Sequence, residues 1–195
     1  MKKFIFLICL LIPSLSLAKE GETHLGIDFG YGFMDIGADQ TAQNIANLSG
    51  STVTYTADEA TWVGRGYFDY SIDDNFFGEI GYFITGDLNA KYTLSGATAS
   101  EAYSANGVDF AAGFKDSASG LFFKAGGHSS EVDGNASITI SGTTYAANAA
   151  ASGSGFLFGG GIDFQDNSRF GYTYYSNLGG LTDADAGLIY YGYRF

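Results

Sequence analysis

Eight stretches of this sequence alternate apolar and polar residues, and charge appears on only one of the two faces that the alternation creates. In the first stretch, Ile27 and Phe29 share a face, whereas Asp28 lies on the opposite one. A period of two is the side-chain period of a β-strand, so each stretch predicts a strand with two unlike faces. The predicted strands are 25–34, 62–70, 76–85, 108–115, 121–128, 156–164, 169–175 and 187–195.

The uncharged face indicates contact with lipid. A charged side chain facing the middle of a bilayer costs about 2–4 kcal/mol, and a slip of one residue in any strand would turn its charges outward. The opposite face carries five acids and five bases, a balanced set that predicts pairing inside a closed lumen. We predict a lumen ion-pair network of Asp28, Arg65, Asp69, Glu79, Asp109, Lys115, Lys124, Asp163, Arg169 and Arg194.

Short and long connections alternate along the chain. Asp73-Asp74-Asn75, 116–120 and 165–168 are turn signals, whereas 35–59, 86–106 and 129–154 are long and mostly polar. This layout predicts an all-β fold, an eight-stranded antiparallel up-and-down transmembrane β-barrel with short periplasmic turns and long extracellular loops. Three Ser-Gly pairs, Ser49-Gly50, Ser95-Gly96 and Ser141-Gly142, repeat every 46 residues and are expected near the loop tips.

The N-terminus reads as a secretory signal peptide, residues 1–18. Lys2 and Lys3 precede an apolar run that ends at Ile12, and a small-x-small pattern, Ser16-Leu17-Ala18, follows. Cleavage would leave one barrel domain, 19–195, exported through the Sec pathway and free of cysteine. The formal charge of −12 would become −14 without the two lysines, which argues against binding of nucleic acid.

The C-terminal strand ends with aromatic residues at alternate positions, Tyr191, Tyr193 and Phe195. It resembles the terminal strand that the barrel assembly machinery reads in bacterial outer-membrane proteins. Together with the eight strands and the signal peptide, it makes the whole mature chain similar to small outer-membrane barrels such as the OmpA transmembrane domain. The stretches 74–82 and 171–177 resemble the accessory colonisation factor A branch.

That resemblance implies an outer-membrane location among lipid and lipopolysaccharide, and a lumen closed by ion pairs. It implies that Glu79 pairs with Lys124, Arg65 or Lys115. An eight-stranded barrel is just wide enough for side chains to fill it, which argues against a general porin and leaves a narrow gated pore open. The side chains expected to fill the lumen include Tyr67, Phe77, Phe83, Phe122, Tyr175 and Tyr190.

Some small barrels modify lipid A, so a catalytic site is one alternative. The segment 174–179 resembles a deacylase motif, but Tyr174 stands where that motif has its histidine, and a phenol with a pKa near 10 is a poor base at neutral pH. His128 with Ser130 is the other candidate pair. Divalent cations were considered at Asp183 with Asp185 and at Glu131, Asp133 and Asn135, where solvated acids are the better interpretation.

The long loops exceed what a barrel needs, and long loops often carry function. The prediction is therefore a non-enzymatic, monomeric protein without cofactor or bound metal, whose acidic extracellular loops bind a host surface or another extracellular ligand in adhesion or colonisation. A structural envelope protein is the alternative.

Overall fold

The computed structural model describes residues 21–182 and 184–195. Within this part the chain forms ten strands, one helix and a single 3₁₀ turn, Leu178–Gly180. The predicted signal peptide, 1–18, lies outside the described residues. The elements are β1 Thr23–Met34, α1 Ala38–Ser49, β2 Thr54–Ala57, β3 Ala60–Ser71, β4 Phe76–Thr85, β5 Leu88–Leu94, β6 Ala97–Lys115, β7 Leu121–Ile140, β8 Thr143–Asp163, β9 Ser168–Tyr175 and β10 Ala186–Arg194.

Eight of the strands close into an antiparallel ring, in the order β1, β3, β4, β6, β7, β8, β9 and β10. The last strand pairs with the first from Gly26 opposite Arg194 to Met34 opposite Ala186. Each predicted strand is present in the ring, and the predicted all-β barrel fold is confirmed. Because the sheet is closed, its wall has no free edge within the ring.

The two faces of the ring are those that the alternation predicts. Outward side chains such as Phe29, Phe110 and Phe123 are exposed, whereas inward ones such as Asp28, Glu79 and Lys124 are buried. Many inward positions are glycine, which leaves room for large neighbours. A Cβ on Gly81 would lie 2.6 Å from an Nη atom of Arg65, and one on Gly26 would collide with the ring of Tyr67.

The long connections differ from the prediction, because most of their residues have regular structure. Residues 35–59 contain α1 and β2 rather than an irregular loop, and 86–106 contain β5 and the first half of β6. Residues 129–154 continue β7 and β8 into a long hairpin, and no register shift interrupts their pairing. In the described residues, no helix is long and apolar enough to cross a membrane.

The Ser-Gly pairs have two different roles. Ser95-Gly96 and Ser141-Gly142 are the two-residue turns at the tips of the β5–β6 and β7–β8 hairpins. Ser141 and Gly142 both have positive φ, 50° and 83°, as a type I′ turn requires. Gly50 instead ends α1 with a left-handed φ of 63°, and its N–H donates to the carbonyl of Ala46.

Candidate functional sites

Glu79 lies at the centre of the lumen between three cations. Its Oε1 is 2.7 Å from both Arg65 Nη2 and Lys124 Nζ, and its Oε2 is 3.0 Å from Arg169 Nη1. These four side chains come from β4, β3, β7 and β9, so the contacts cross the barrel interior rather than follow one strand. All four are buried, which makes every contact a charge-assisted hydrogen bond shielded from water.

Arg65 extends the network toward β1 and β6. Its Nε and Nη2 atoms donate to the two carboxylate oxygens of Asp109 at 2.8 and 2.6 Å, a bidentate arrangement, and Nη1 donates to Asp28 at 3.1 Å. The hydroxyl of Tyr175 adds a bond of 2.9 Å to Asp109. The single guanidinium thus contacts three of the five predicted acids.

The rest of the network descends toward the short turns through Asp163. Arg169 Nε, Lys115 Nζ and Arg194 Nη2 lie 3.1, 2.9 and 3.1 Å from its carboxylate. Arg194 also contacts Asp69 at 2.9 Å, and the Nδ1 atom of His24 lies 2.9 Å from the same carboxylate.

All ten predicted side chains therefore belong to one connected set. Of the three partners expected for Glu79, Lys124 and Arg65 contact it, whereas Lys115 contacts Asp163 instead. Lys115 is the alternative that does not contact Glu79, because its side chain reaches Asp163 nearer the short turns. Arg169 also contacts Glu79, although it is not among the three expected partners. His24 contacts Asp69.

Aromatic rings fill the space around the ions. The guanidinium of Arg169 lies between the rings of Tyr67 and Phe122, 4.9 and 4.6 Å from their centroids, and Lys124 Nζ is 5.7 Å from the centroid of Tyr190. Such contacts with ring faces favour cations that have lost water. The six aromatic residues expected to fill the lumen are all buried, namely Tyr67, Phe77, Phe83, Phe122, Tyr175 and Tyr190.

Above the ions, toward the long connections, the lumen is apolar. Val63, Phe83 and Leu188 pack there against Leu178, which the 3₁₀ turn carries into the end of the barrel. The cavity among these residues has a volume of about 30 Å³. The lumen thus contains a charged layer covered by an apolar one, and only the charged layer could be read from the alternation.

The residues weighed for catalysis hold the 3₁₀ turn in place. The Oγ atom of Ser130 accepts a 2.9 Å bond from the N–H of Gly179, and His128 Nε2 lies 2.7 Å from the carbonyl oxygen of Ser176. The hydroxyl of Ser176 is bonded to both the N–H and the carbonyl of Phe156. Nε2 of His128 and Oγ of Ser130 thus contact backbone groups rather than each other.

The acids weighed for cation binding do not converge. Glu131, Asp133 and Asn135 alternate along one extended strand, so neighbouring members are about 6.8 Å apart and point the same way. Asp185 is bonded to the hydroxyl of Tyr174 and to the N–H of Asn177, and Asp183 lies outside the described residues. Among the described residues, no three His, Cys, Asp or Glu side chains are grouped as metal ligands would be.

A second sheet stands beyond the ring, and we call it the extension. It comprises β2, β5 and residues 97–106, 129–140 and 143–154 of β6, β7 and β8, in the order β2-β5-β6-β7-β8. Helix α1 covers one face of β5 and β6, with Ala38 and Ala42 packed near Ala90 and Tyr92. The helix was missed, although Ala38, Ala42 and Ile45 have helical spacing between two glycines.

The outward side chains change character where the ring becomes the extension. Along β6 they are Phe114, Phe110 and Val108 in the ring, then Ser104, Ser100 and Thr98. Along β8, Phe158 and Phe156 give way to Ser154, Ser152 and Ala150. The change occurs at the same level in neighbouring strands, because Val108 pairs with Ser129 and Ser129 pairs with Ser154.

The border of the extension at β8, like the one at β2, has no neighbouring strand among the described residues. Strand β9 pairs with β8 only from Leu157 downward, and the turn at Gly180 contacts β8 at Gly153. From Thr143 to Ala150 every residue of β8 is exposed, and in the described part of the chain no strand pairs with that side. This free edge is uncharged and rich in alanine.

The three residues predicted as the assembly signal lie on the outer face of β10. Tyr191, Tyr193 and Phe195 are exposed, and the rings of the last two meet edge to face at 5.1 Å. The N–H of Phe195 donates to the carbonyl of Leu25 on β1 at 2.7 Å. The C-terminal residue is thus held at the seam where the last strand meets the first.

The sequence matches no known family profile and no curated protein sequence. The fold is similar to the crystal structure of Ail, the attachment invasion locus protein of Yersinia pestis, with a TM-score of 0.50, 16% identity, and coverage of 91% of this chain and 100% of that one. A structure of Ail in complex with the heparin analogue sucrose octasulfate gives a TM-score of 0.49 at 13% identity, covering 89% and 99%. The outer membrane protein OprG from Pseudomonas aeruginosa gives 0.42 at 12% identity, covering 90% and 97%.

At these identities the comparison shows the fold alone. The chain has the fold of the small eight-stranded outer-membrane β-barrels, as its sequence predicts. The resemblance to the accessory colonisation factor A branch stays a prediction.

Proposed function

We propose that this chain is an outer-membrane protein whose ring spans the bilayer, with the short turns in the periplasm and the extension outside the cell. The support is the band of exposed aromatic and aliphatic side chains around the ring, on which no charged residue lies. The proposal includes export by the signal peptide. It also includes recognition by the assembly machinery of Tyr191, Tyr193 and Phe195. Because one chain closes its own ring, the barrel is proposed to be a monomer.

Inside the ring, the ten paired charges are proposed to be structural and the lumen to be closed. Five acids and five bases neutralise each other there, while Leu178 and its apolar neighbours occupy the outer end. The contacts of His128, Ser130 and Ser176 support a protein without catalytic activity, since each anchors the segment that carries Leu178.

The function that the geometry supports best is binding of a macromolecule at the cell surface. The observation that carries it is the extension, a five-stranded sheet with its own packed helix beyond the apolar band. Closing a barrel requires only short connections, so this ordered structure needs another purpose. Ail, whose fold is similar, is described as an attachment protein.

The charge of the extension indicates the kind of partner. Asp35, Asp39, Asp58 and Glu59 line one cavity beside β2, and Asp87 is exposed just before β5. Lys91 is the one lysine or arginine in the strands of the extension. Ail has been crystallised with a polysulfated sugar. The acidic surface here would repel such a polyanion, so we propose a partner that is neutral or cationic.

A replacement of the β7–β8 hairpin tests this proposal. Gly134 and Ala149 are paired residues, so replacing 135–148 with Asn-Gly joins them through a type I′ turn and leaves the ring intact. The variant and the native protein are compared for outer-membrane fractionation, for the gel shift between boiled and unboiled samples, and for attachment of cells that display them to host-cell layers.

We expect both proteins to reach the outer membrane and to show the shift, while attachment is lost only in the variant. Equal attachment by the two would contradict a binding role for the hairpin and favour a structural envelope protein. Recovery of the native protein in the soluble periplasmic fraction would contradict the membrane assignment itself.

A further inference from the structure

The free edge of β8 has its own hydrogen-bonding groups available. Phe156 directs both its N–H and its carbonyl toward Ser176, on the side away from β7. N–H groups alternate between the two sides of a strand, and the β7–β8 register is unbroken from Leu157 to Thr143. The N–H and carbonyl groups of Thr144, Ala146, Asn148 and Ala150 therefore point outward from the sheet, toward the free edge.

The edge lacks the features that usually prevent strand pairing. Natural sheets protect edges with charged side chains, proline or bulges. Residues 143–154 contain neither charge nor proline, and the register with β7 contains no bulge. Although the chain has a net charge of −12, no charged side chain on this exposed edge would oppose the pairing of another strand.

The outer face beside this edge is acidic. Asp133 pairs with Ala150, and Glu131 pairs with Ser152, so both carboxylates lie on β7 with only small side chains between them and the edge. A strand added to β8 would lie about 10 Å from β7. Lysine or arginine on such a strand could pass over Ala150 and reach Asp133.

The inner face beside the edge is apolar and only partly covered. Helix α1 packs over β5 and β6, but Ile138 and Tyr145 on β7 and β8 are exposed, the latter by 60%. A groove of about 240 Å³ separates them from Ile45 of the helix. Alternate side chains of an added strand would face this surface, beside Tyr145 and Ala147.

We infer that the free edge of β8 binds an extended peptide segment of a partner protein, in which apolar residues alternate with lysine or arginine. Main-chain hydrogen bonds to the edge hold the segment, its basic side chains pair with Asp133 and Glu131, and its apolar side chains pack on the inner face. This inference rests on the proposed binding function and names the chemistry of the partner. A second copy of this chain fits less well, because it would bring the same acids to the contact.

The probe is a fluorescein-labelled ten-residue peptide of alternating Lys and Val, titrated into the refolded mature chain in detergent and followed by fluorescence anisotropy. One control peptide carries N-methyl groups on every second residue, which keeps its charge and removes the N–H groups of one edge. Another has Glu in place of Lys. We expect the first peptide to bind, and both controls to bind at least about tenfold more weakly.

Matched protein variants test the two halves of the contact. Ala150→Pro removes an outward N–H that makes no bond to β7, whereas Ala150→Val keeps this N–H. Only the proline variant is expected to weaken binding, by about tenfold. Glu131→Gln with Asp133→Asn should weaken binding and reduce the dependence of the affinity on salt concentration. Asp74→Asn with Asp166→Asn makes the same change of charge at exposed residues of the short turns, and should leave affinity nearly unchanged. Circular dichroism and the gel shift verify folding of each variant.

Equal binding of the N-methylated peptide, or of the Ala150→Pro variant, would overturn the inference, since attraction between net charges would then suffice. Self-association of the native chain that Ala150→Pro abolishes would also overturn it, in favour of a second copy. If the hairpin replacement prevents cell attachment while Ala150→Pro does not, the proposed binding function stands and strand addition at this edge fails. If neither change affects attachment, both proposals fail.

Discussion

The lower and upper halves of β6, β7 and β8 belong to the same strands but have opposite polarity. In the ring, Phe110 points outward and Asp109 inward. In the extension, Thr98 and Ser100 point outward, whereas Ala99 faces the side that α1 covers. The backbone pairing is continuous through the change, so the hydrogen-bond ladder does not distinguish the two regions.

The difference shows that the surroundings of each half determine its pattern. A wall in hydrocarbon must be apolar outside, and it can enclose charge if every ion is paired. A sheet in water needs the reverse, a polar outer face and an apolar face buried by another element. The level of Val108, Ser129 and Ser154 marks the boundary between these two requirements, and four predictions test the contrast.

The largest effect is expected inside the ring, at Glu79. Glu79→Gln leaves Arg65, Lys124 and Arg169 around a neutral amide, and breaking a buried ion pair costs about 3–5 kcal/mol. Urea unfolding of protein refolded into lipid vesicles measures the loss. Lys115→Gln, at a side chain that is 30% exposed, is the control and should cost less. A loss below about 1 kcal/mol for Glu79→Gln, the size of an exposed pair, would contradict a structural role.

The next effect compares two outward positions of β6. Phe110→Arg places a charge on the outer face of the ring, which is proposed to contact lipid, and should cost about 2–4 kcal/mol, whereas Thr98→Arg in the extension should change stability little. The same unfolding experiment in vesicles reports both. Equal costs at the two positions would mean that the boundary between lipid and water does not lie near Val108.

A smaller and local effect is expected at the helix. Ala42→Glu overfills the contact of α1 with the extension and should release the helix, at a cost of about 1–3 kcal/mol, without loss of the barrel. Hydrogen exchange at the amides of α1 and of the ring measures the two regions separately. Gln43→Glu, exposed on the same helix, is the control. Faster exchange throughout the ring would show that the two regions unfold together.

The smallest effect concerns the turns at the opposite end. Backbone N–H groups of Asn75 and Phe76 donate to Asp73 and lower the pKa of its carboxyl group, while the hydroxyl of Ser119 does the same for Asp116. A carboxyl whose pKa is lower in the folded state stabilises the fold above its unfolded pKa, and this contribution is lost as the pH falls through the folded value. We therefore expect slightly faster unfolding below about pH 4, reduced by Asp73→Asn with Asp116→Asn. An unchanged acid response in that double variant would contradict the prediction.

Prediction from sequence succeeded where one physical rule acts on every residue. A face in contact with lipid must be uncharged, and from this rule the alternation predicts the faces of all eight ring strands and the ten charges that the structure joins in one set of contacts. The rule gives no information about depth, so it left open whether Lys115 contacts Glu79 or, as the structure has it, Asp163. It also says nothing about the apolar layer at Leu178, because that residue enters the lumen from a connection.

The extension was harder to predict because its elements depend on one another. Residues 38–49 are mostly polar and have only four apolar positions with helical spacing, so α1 gains its stability from packing on Tyr92 and Ala90. The sequence determined the strands, their faces and the charge balance of the lumen, since these follow from the period of two and the cost of charge in lipid. Only the tertiary structure decided which ions pair, where α1 docks and which edge stays free, because those contacts join residues that the chain places far apart.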